Sequence, residues 1–381
     1  MKILLLYPYP VELDGQSLQG HYLAKGLREL GVEVMECDRA DNLEKLHAYK
    51  SFKPDFVIGI GYWGDTPDVV LSPLKHGLHA VPWFNADGWV ANYHNTFNEL
   101  PLVVTTSRWV KETYKRDGMH ANNIEPCSIG YDPSVFFPME KNDPRVLKVR
   151  ELLGIQPNEK MIFTAGGDVT SKGAQEMFRA IAKIQDKVPN WKYVLKVNES
   201  FSADNHGQEE EDLIESLGLD KNRITYLRGG YSPEFMGVLL NACDVYAAPS
   251  RLEGFGMIQL EAQASGKPVI SINVGGPRDV IIHEKTGFLA DVSYEVKLSK
   301  EWVYPWMGFE EKHMVSFPDP KTFAYRADVD QLADFTLRLL TDEELNKKMS
   351  LAASQHAKEN FHYKVIAQRM LDLIKKNYNL M

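Results

Sequence analysis

Cysteine is scarce: Cys37, Cys127 and Cys243 are an odd number and lie far apart in 381 residues, which excludes a disulfide framework and a clustered zinc site. A reducing cytosol fits that usage. Basic charge is not in excess either, with 43 Lys and Arg against 52 Asp and Glu for a net charge of −9. Bulk attraction to nucleic acid or to anionic membranes is therefore lacking, although a locally basic cleft stays open. No stretch approaches the ~20 apolar residues of a membrane span. The apolar start Ile3 to Leu6 is short for a secretory signal and runs into Tyr7-Pro8-Tyr9-Pro10, so it reads as a first buried strand of a cytoplasmic protein. No repeat of about 20 to 50 residues is present, which excludes solenoids and propellers.

What is there is ordinary globular material, 44% hydrophobic, 25% charged and 11% aromatic, and about 2.5 times the ~150-residue prior for one domain. Two domains are expected. The apolar run Lys2 to Tyr7 leads through Glu12-Leu13-Asp14-Gly15 into a helical pattern marked by Leu18, Tyr22, Leu23, Leu27 and Leu30. Further strands are predicted at 31–35, 55–60 and 102–105, buried on both faces as in a doubly wound parallel α/β domain. Prolines 138, 144 and 157 then interrupt a charged stretch, with 138–142 as linker. Beyond it, 161–165, Gly166-Gly167 and a helix from about Gly173 repeat the strand, glycine loop and helix, with strands to follow at 192–197, 224–227, 245–248 and 269–272. From Asp342 the period is helical. Between Asp291 and Asp330 lies a weakly periodic aromatic stretch with Trp302, Tyr304, Trp306, Phe309, Phe317, Phe323 and Tyr325. It reads either as a satellite cluster packed on the second domain or as a partner or acceptor surface.

The stretch with most chemistry runs Ala248-Pro249-Ser250-Arg251-Leu252-Glu253-Gly254-Phe255-Gly256-Met257-Ile258-Gln259-Leu260-Glu261-Ala262. A strand ends in a turn, a carboxylate follows, two glycines flank Phe255, and a helix begins. First-turn amides lack helical acceptors and lie at the positive end of the peptide dipoles, so they can hold an anion, which glycine lets approach closely. Glu261, five residues past Gly256, stands roughly 7 to 8 Å along the axis, comparable with the reach from a diphosphate to its ribose. Glu253 would face the group beyond the phosphate.

This Glu-x7-Glu arrangement resembles the signature of retaining glycosyltransferases of the GT-B fold, specifically the large family 4. The likeness continues through Ala264-Ser265-Gly266-Lys267-Pro268-Val269-Ile270, Val274-Gly275-Gly276-Pro277-Arg278-Asp279 and Gly287-Phe288-Leu289. It is also present upstream in Ile224 to Gly229 and in Ser128-Ile129-Gly130-Tyr131-Asp132 ahead of Phe137-Pro138. It implies two doubly wound Rossmann-like domains facing a cleft. The first would span 1–140 on the acceptor side, joined by a C-terminal helix 363–381 crossing back. The second, 157–362, would bind the nucleotide sugar and carry the aromatic insertion at about 292–326.

By the same resemblance Glu253 binds donor-sugar hydroxyls and Glu261 the nucleotide ribose, and Lys172 helps to neutralise the leaving diphosphate. The donor would also meet Gly166, Gly167, Gly229, Gly254, Phe255, Gly256 and Met257 in the second domain, and Gly15 and Gln16 in the first. The family's usual arginine before that lysine is missing: Gly167 stands in its place, leaving loop amides with Lys172, or another cation such as Arg278 or Lys196, to do its work. Trp83, Asn85, Asp87 and His94 mark the acceptor region, where tryptophan beside polar groups suits a sugar-like or amphipathic molecule. Trp83 and Trp89 equally suit a core.

The activity implied is hexosyl transfer from a UDP- or GDP-sugar with retained anomeric configuration, without metal or bound cofactor. The acceptor would be a carbohydrate, a lipid-linked glycan or a small molecule, and no nucleic acid partner is expected. Asp328-Val329-Asp330 has the Asp-x-Asp pattern of metal-dependent transferases but directly precedes a helical run and reads as a helix cap. Rival readings are a nucleotide-sugar epimerase or a phosphorylase of the same architecture, or a two-lobed sugar-binding protein without turnover.

Overall fold

The computed structural model describes residues 1–85, 88–198 and 206–380. The chain divides into unit 1, comprising Met1–Asp132, Lys297–Phe323 and Asn360–Met381, and unit 2, comprising Pro133–Val296 and Ala324–Glu359.

Unit 1 holds strands β1 (Lys2–Tyr7), β2 (Glu33–Asp38), β3 (Phe56–Gly61), β4 (His79–Phe84), β5 (Val103–Thr105) and β6 (Ile124–Pro126). They form one sheet in the order β2-β1-β3-β4-β5-β6, and every pairing is parallel. Ile3 to Tyr7 are fully buried, as an apolar run in the middle of a sheet covered on both faces must be. Sequence reading passes over β4 because it contains Pro82, which has no amide to give the ladder, although Pro82 sits opposite Gly59 in a central strand. The C-terminal helix Tyr363–Asn377 belongs to this unit, where Tyr363 Oη donates to Glu29 Oε1 at 2.6 Å and Cys127 Sγ lies 3.9 Å from the Ile366 carbonyl.

Unit 2 repeats the design with β7 (Lys160–Ala165), β8 (Trp191–Val197), β9 (Ile224–Arg228), β10 (Val245–Ala247), β11 (Val269–Ile272) and β12 (Gly287–Ala290), ordered β12-β11-β10-β7-β8-β9. Ile162, Leu195, Val245 and Ala247 face one side, in a core with Phe178 of the helix Ala174–Ile184 and with Leu332, Phe335 and Leu339 of the helix Val329–Thr341. Alternation along the strands sends Phe163 and Tyr246 to the other side, their rings edge to face at 5.9 Å. Asp328 caps Val329–Thr341 by accepting from the amides of Asp330 and Gln331, so the Asp-x-Asp triplet serves a helix start. The boundary between units falls before the 138–142 stretch. Asn241 explains why: its Nδ2 donates to the Phe137 carbonyl at 3.0 Å and its Oδ1 accepts from the Met139 amide at 2.8 Å, fastening that stretch to unit 2.

The aromatic insertion differs most from expectation. It is a two-stranded sheet of consecutive strands, β13 (Val292–Val303) and β14 (His313–Ala327), and its 297–323 portion groups with unit 1 rather than with the second domain. Met307 and Phe309 pack on the unit 1 core, which gives that portion the apolar support an isolated ribbon lacks.

Candidate functional site

β7 and β10 are neighbours, with Ile162 opposite Val245 and Phe163 opposite Tyr246, so the loops leaving their carboxyl ends emerge side by side. One is 166–173 and the other 248–256. The Arg251 amide donates to the Ser171 carbonyl at 2.8 Å, and the Arg251 guanidinium reaches Gln175 Oε1 at 2.9 Å and Glu176 at 3.2 Å. Across this seam Lys172 Nζ donates to Glu253 Oε2 at 2.7 Å, and Ser250 Oγ donates to the same oxygen at 3.2 Å. Two residues 81 apart in sequence therefore form a partly buried ion pair at the strand ends, with side-chain exposures of 24% and 17%.

Gly173 makes the seam possible. Its φ is +88°, and a Cβ there would stand 2.5 Å from the Pro249 carbonyl oxygen. Gly173→Ala is expected to destabilise the protein by about 2 kcal/mol, through the left-handed backbone and the clash together. Urea denaturation measures it; an unchanged midpoint would show the two loops to be independent.

After Glu253 the chain turns through Gly254, Phe255 and Gly256 into the helix Met257–Ala264. Phe255 is buried, and the Gly276 amide donates to the Glu253 carbonyl at 2.9 Å. A side chain on Gly276 would strike the Phe255 backbone, which ties the Gly-Gly-Pro motif to the shape of this loop. Sequence reading quotes that motif without giving it a structural role; its glycine pair after β11 is the signal.

Glu261 lies on the inner side of the helix with 5% of its surface exposed. Burial pushes its carboxyl up to about 8. Among the described residues its side chain has no hydrogen-bond partner. Nearby Gln259, by contrast, donates to the Ala248 carbonyl at 2.9 Å and to Ser271 Oγ at 3.0 Å. Burial above all, and then the charges of Glu253 and Glu261, hold the Tyr246 phenol well above its usual range, so both carboxylates lie within electrostatic reach of one buried ring.

Gly166 and Gly167 border this region. The Gly166 amide donates to the Lys196 carbonyl at 3.1 Å, and the Gly167 carbonyl accepts from the Asn198 amide at 2.9 Å. Lys196 alternates with Leu195 and Val197 of the core face, so it projects from the side that carries Phe163 and Tyr246. It is half-buried, and desolvation lowers its ammonium from the usual range. Arg278 is exposed in the short helix Pro277–Val280. Gly229 follows β9 with its amide on the Val197 carbonyl at 3.1 Å. Sequence reading missed the next group: Asp168 Oδ2 meets His206 Nδ1 at 2.8 Å, while buried Glu210 accepts from Thr170 and, at 2.6 Å, from Tyr226. Neither His206 nor Glu210 belongs to a recognisable motif.

In unit 1, Gly15 opens the helix Gly15–Glu29, which Asp14 caps by accepting from the amides of Gln16 and Ser17. Gln16 Oε1 accepts from Arg39 Nη1 at 2.7 Å. Trp83 is 0% exposed and its indole donates to the Cys127 carbonyl at 2.9 Å, the arrangement its alternative reading as a core residue expects. Asn85 Oδ1 accepts from Thr106 Oγ1 at 2.6 Å, and His94 begins the helix His94–Glu99. Asp87 lies outside the described residues. Trp89 stacks edge-on with Trp63 at 5.4 Å and with Phe317 at 5.2 Å.

Among the described residues no group of three or more His, Cys, Asp and Glu is arranged to hold a metal, and no helix is long and apolar enough to cross a membrane.

Residues 147–303 match the family model for glycosyl transferases group 1. A D-inositol 3-phosphate glycosyltransferase of Corynebacterium aurimucosum is 26% identical over 236 residues, 57% of this chain and 54% of that protein. The chain thus spans about half the length of the curated relatives it matches. Among solved structures, Anabaena HepE in complex with UDP and glucose aligns at a TM-score of 0.73 and 17% identity, covering 99% of this chain and 100% of that one. A glycosyltransferase from Rickettsia africae aligns at 0.74 and 18% identity, covering 100% and 99%. The architecture shared along the whole chain is GT-B, two Rossmann-like α/β units built on parallel sheets.

Proposed function

We propose that this chain, which matches the family model for glycosyl transferases group 1 over residues 147–303, moves a sugar from a nucleoside diphosphate sugar to a hydroxyl acceptor with retained anomeric configuration. The observation that carries the reading is the meeting of Lys172 and Glu253 at 2.7 Å over the carboxyl ends of β7 and β10, beside a buried and unpartnered Glu261. Open α/β sheets take their ligands at that end of the strands. HepE, which shares this fold, was solved in complex with UDP and glucose, and that supports a uridine nucleotide as the donor's carrier here. The diphosphate would lie at the amides opening the helix Met257–Ala264 and exchange the Glu253 contact of Lys172 for its own charge. Glu253, so released, accepts hydroxyls of the sugar, and Glu261 accepts those of the ribose.

In this scheme the acceptor oxygen attacks the anomeric carbon on the face from which the diphosphate departs. The C–O bond to phosphate breaks as the new glycosidic bond forms, and a departing phosphate oxygen takes the acceptor's proton. Electrostatic stabilisation of that phosphate is the main service of the protein. No metal is assigned a part.

Lys196 is the best replacement for the arginine missing at Gly167. It projects on the Tyr246 side, next to Gly166, and bears a desolvation cost that an anion would relieve. Lys196→Met is expected to weaken UDP about tenfold, ~1.4 kcal/mol by calorimetry, without a comparable fall in thermal stability. Equal affinities would return that role to the loop amides.

The reading as a whole is tested by incubating the chain with a panel of UDP- and GDP-sugars and mixed saccharide acceptors. Release of nucleoside diphosphate dependent on acceptor, with an unchanged anomeric configuration by NMR, is expected. Epimerised donor, or tight binding without turnover, would replace the reading.

A further inference from the structure

The tip of the β13–β14 hairpin is built into unit 1 by specific contacts. Asn92 Nδ2 donates to the carbonyls of Met307 at 3.3 Å and Gly308 at 3.1 Å, and Lys321 Nζ donates to Asp117 Oδ1 at 2.5 Å. The Tyr62 ring meets Trp306 edge-on at 6.0 Å, and Phe317 meets Trp89. Tyr62 and Asn92 lie in the loops that follow β3 and β4. The tip therefore rests at the carboxyl ends of two central parallel strands of unit 1, the ligand-binding end in folds of this class.

Rings are left in solvent on that firm base. Trp306 is 56% exposed and Trp302 42%, and Tyr304 stacks on Trp306 with an interplanar angle of 18° and centroids 5.9 Å apart. Lys312 Nζ sits 4.8 Å from the Trp302 centroid and 5.1 Å from that of Tyr304. Large rings are costly to leave exposed together unless something covers them. Pyranose rings present flat C–H faces to aromatic planes while their hydroxyls stay wet, and rigid Trp and Tyr side chains lose little entropy on such contact. Among the described residues Lys312 has no carboxylate within ion-pair distance. Its charge is held over the rings and left to complement an anion.

We propose that Tyr304, Trp306 and Lys312 form an acceptor subsite on unit 1 that takes a saccharide carrying an acidic group. Its description as an acceptor subsite rests on the glycosyl-transfer reading above; the binding itself does not. The ring pair would stack on the sugar and Lys312 would face its acid.

The test titrates the full chain with cellobiose and cellobiouronic acid, which differ only in the acid group, using saturation-transfer NMR. Transfer from aromatic protons to both sugars is expected, with the acidic one bound at least about threefold tighter. Trp306→Ala should weaken both at least about fivefold, and Lys312→Ala should reduce the acidic sugar to the affinity of the neutral one. UDP affinity, measured in parallel, should stay unchanged in both variants. The inference is overturned by an absence of saturation transfer, by equal affinity for the two sugars, or by wild-type binding in Trp306→Ala. Each of those results leaves donor turnover intact as a separate measurement. Loss of turnover on every nucleotide sugar, with saccharide binding as expected, would remove the functional reading alone.

Discussion

Glu253→Ala lowers glycosyl transfer at least about tenfold, a barrier change of ~1.4 kcal/mol, and Lys172→Ala does the same with a larger rise in donor KM. The expectation follows from one shared acceptor oxygen. Glu253 Oε2 accepts hydrogen bonds from Lys172 at 2.7 Å and Ser250 at 3.2 Å, so removing Lys172 or Glu253 leaves the other misdirected in a partly buried place. The two variants should differ in kind. In the proposed function the lysine works on the diphosphate, which is present in both ground and transition states, so its loss would appear in binding as well as rate. The glutamate is proposed to orient the sugar, so its loss would fall mainly on kcat. Glu253→Gln keeps an acceptor for Ser250 and separates a missing charge from a missing bond. Near-normal steady-state rates in both alanine variants would withdraw the assignment of these two residues.

The second large effect concerns acid and base. The Glu261 carboxyl titrates near 8 in the folded chain, against an ordinary value of 4.5, because burial penalises its charge. Between those values the folded protein holds a proton that the unfolded chain has released, so stability falls as pH rises through that window and levels off above it. Glu261→Gln has no such proton. Its unfolding midpoint should therefore gain on the parent chain from pH 5 to pH 9, and parallel profiles would refute the burial argument. Nucleotide binding carries the same proton. If ribose hydroxyls donate to an ionised Glu261, UDP binding at pH 7 releases up to about one proton, seen by calorimetry in buffers of different ionisation enthalpy. Glu261→Gln should release none. Glu261→Ala should also bind UDP at least about tenfold more weakly.

These sites differ in how far the chain announces them. Glu253, the glycine elbow and Glu261 lie in one unbroken strand, turn and helix, so local chemistry orders them in the sequence as in space. Lys172 is 81 positions from its partner, and it is the family resemblance, laid on the repeated strand, glycine loop and helix at Met161 to Gly173, that directs attention to it. Trp83 is ambiguous in the sequence because tryptophan near Asn85 suits an amphipathic ligand as well as a core; its place in β4 buries the ring. The hairpin was not legible: its aromatic stretch is only weakly periodic, and which unit receives its tip depends on long-range packing against Tyr62, Trp89 and Asn92. Asp168 with His206, and Glu210 with Tyr226, are pairings across loops and strands that no spacing reveals.

Main-chain atoms do most of the fastening around the candidate donor site: Arg251 to Ser171, Gly276 to Glu253, and Gly173 beneath Pro249. Contour and chemistry are thus written in different alphabets, one in glycines and amides, the other in a handful of replaceable side chains. A lineage or an engineer can exchange those few letters and explore new sugars while the vessel keeps its form.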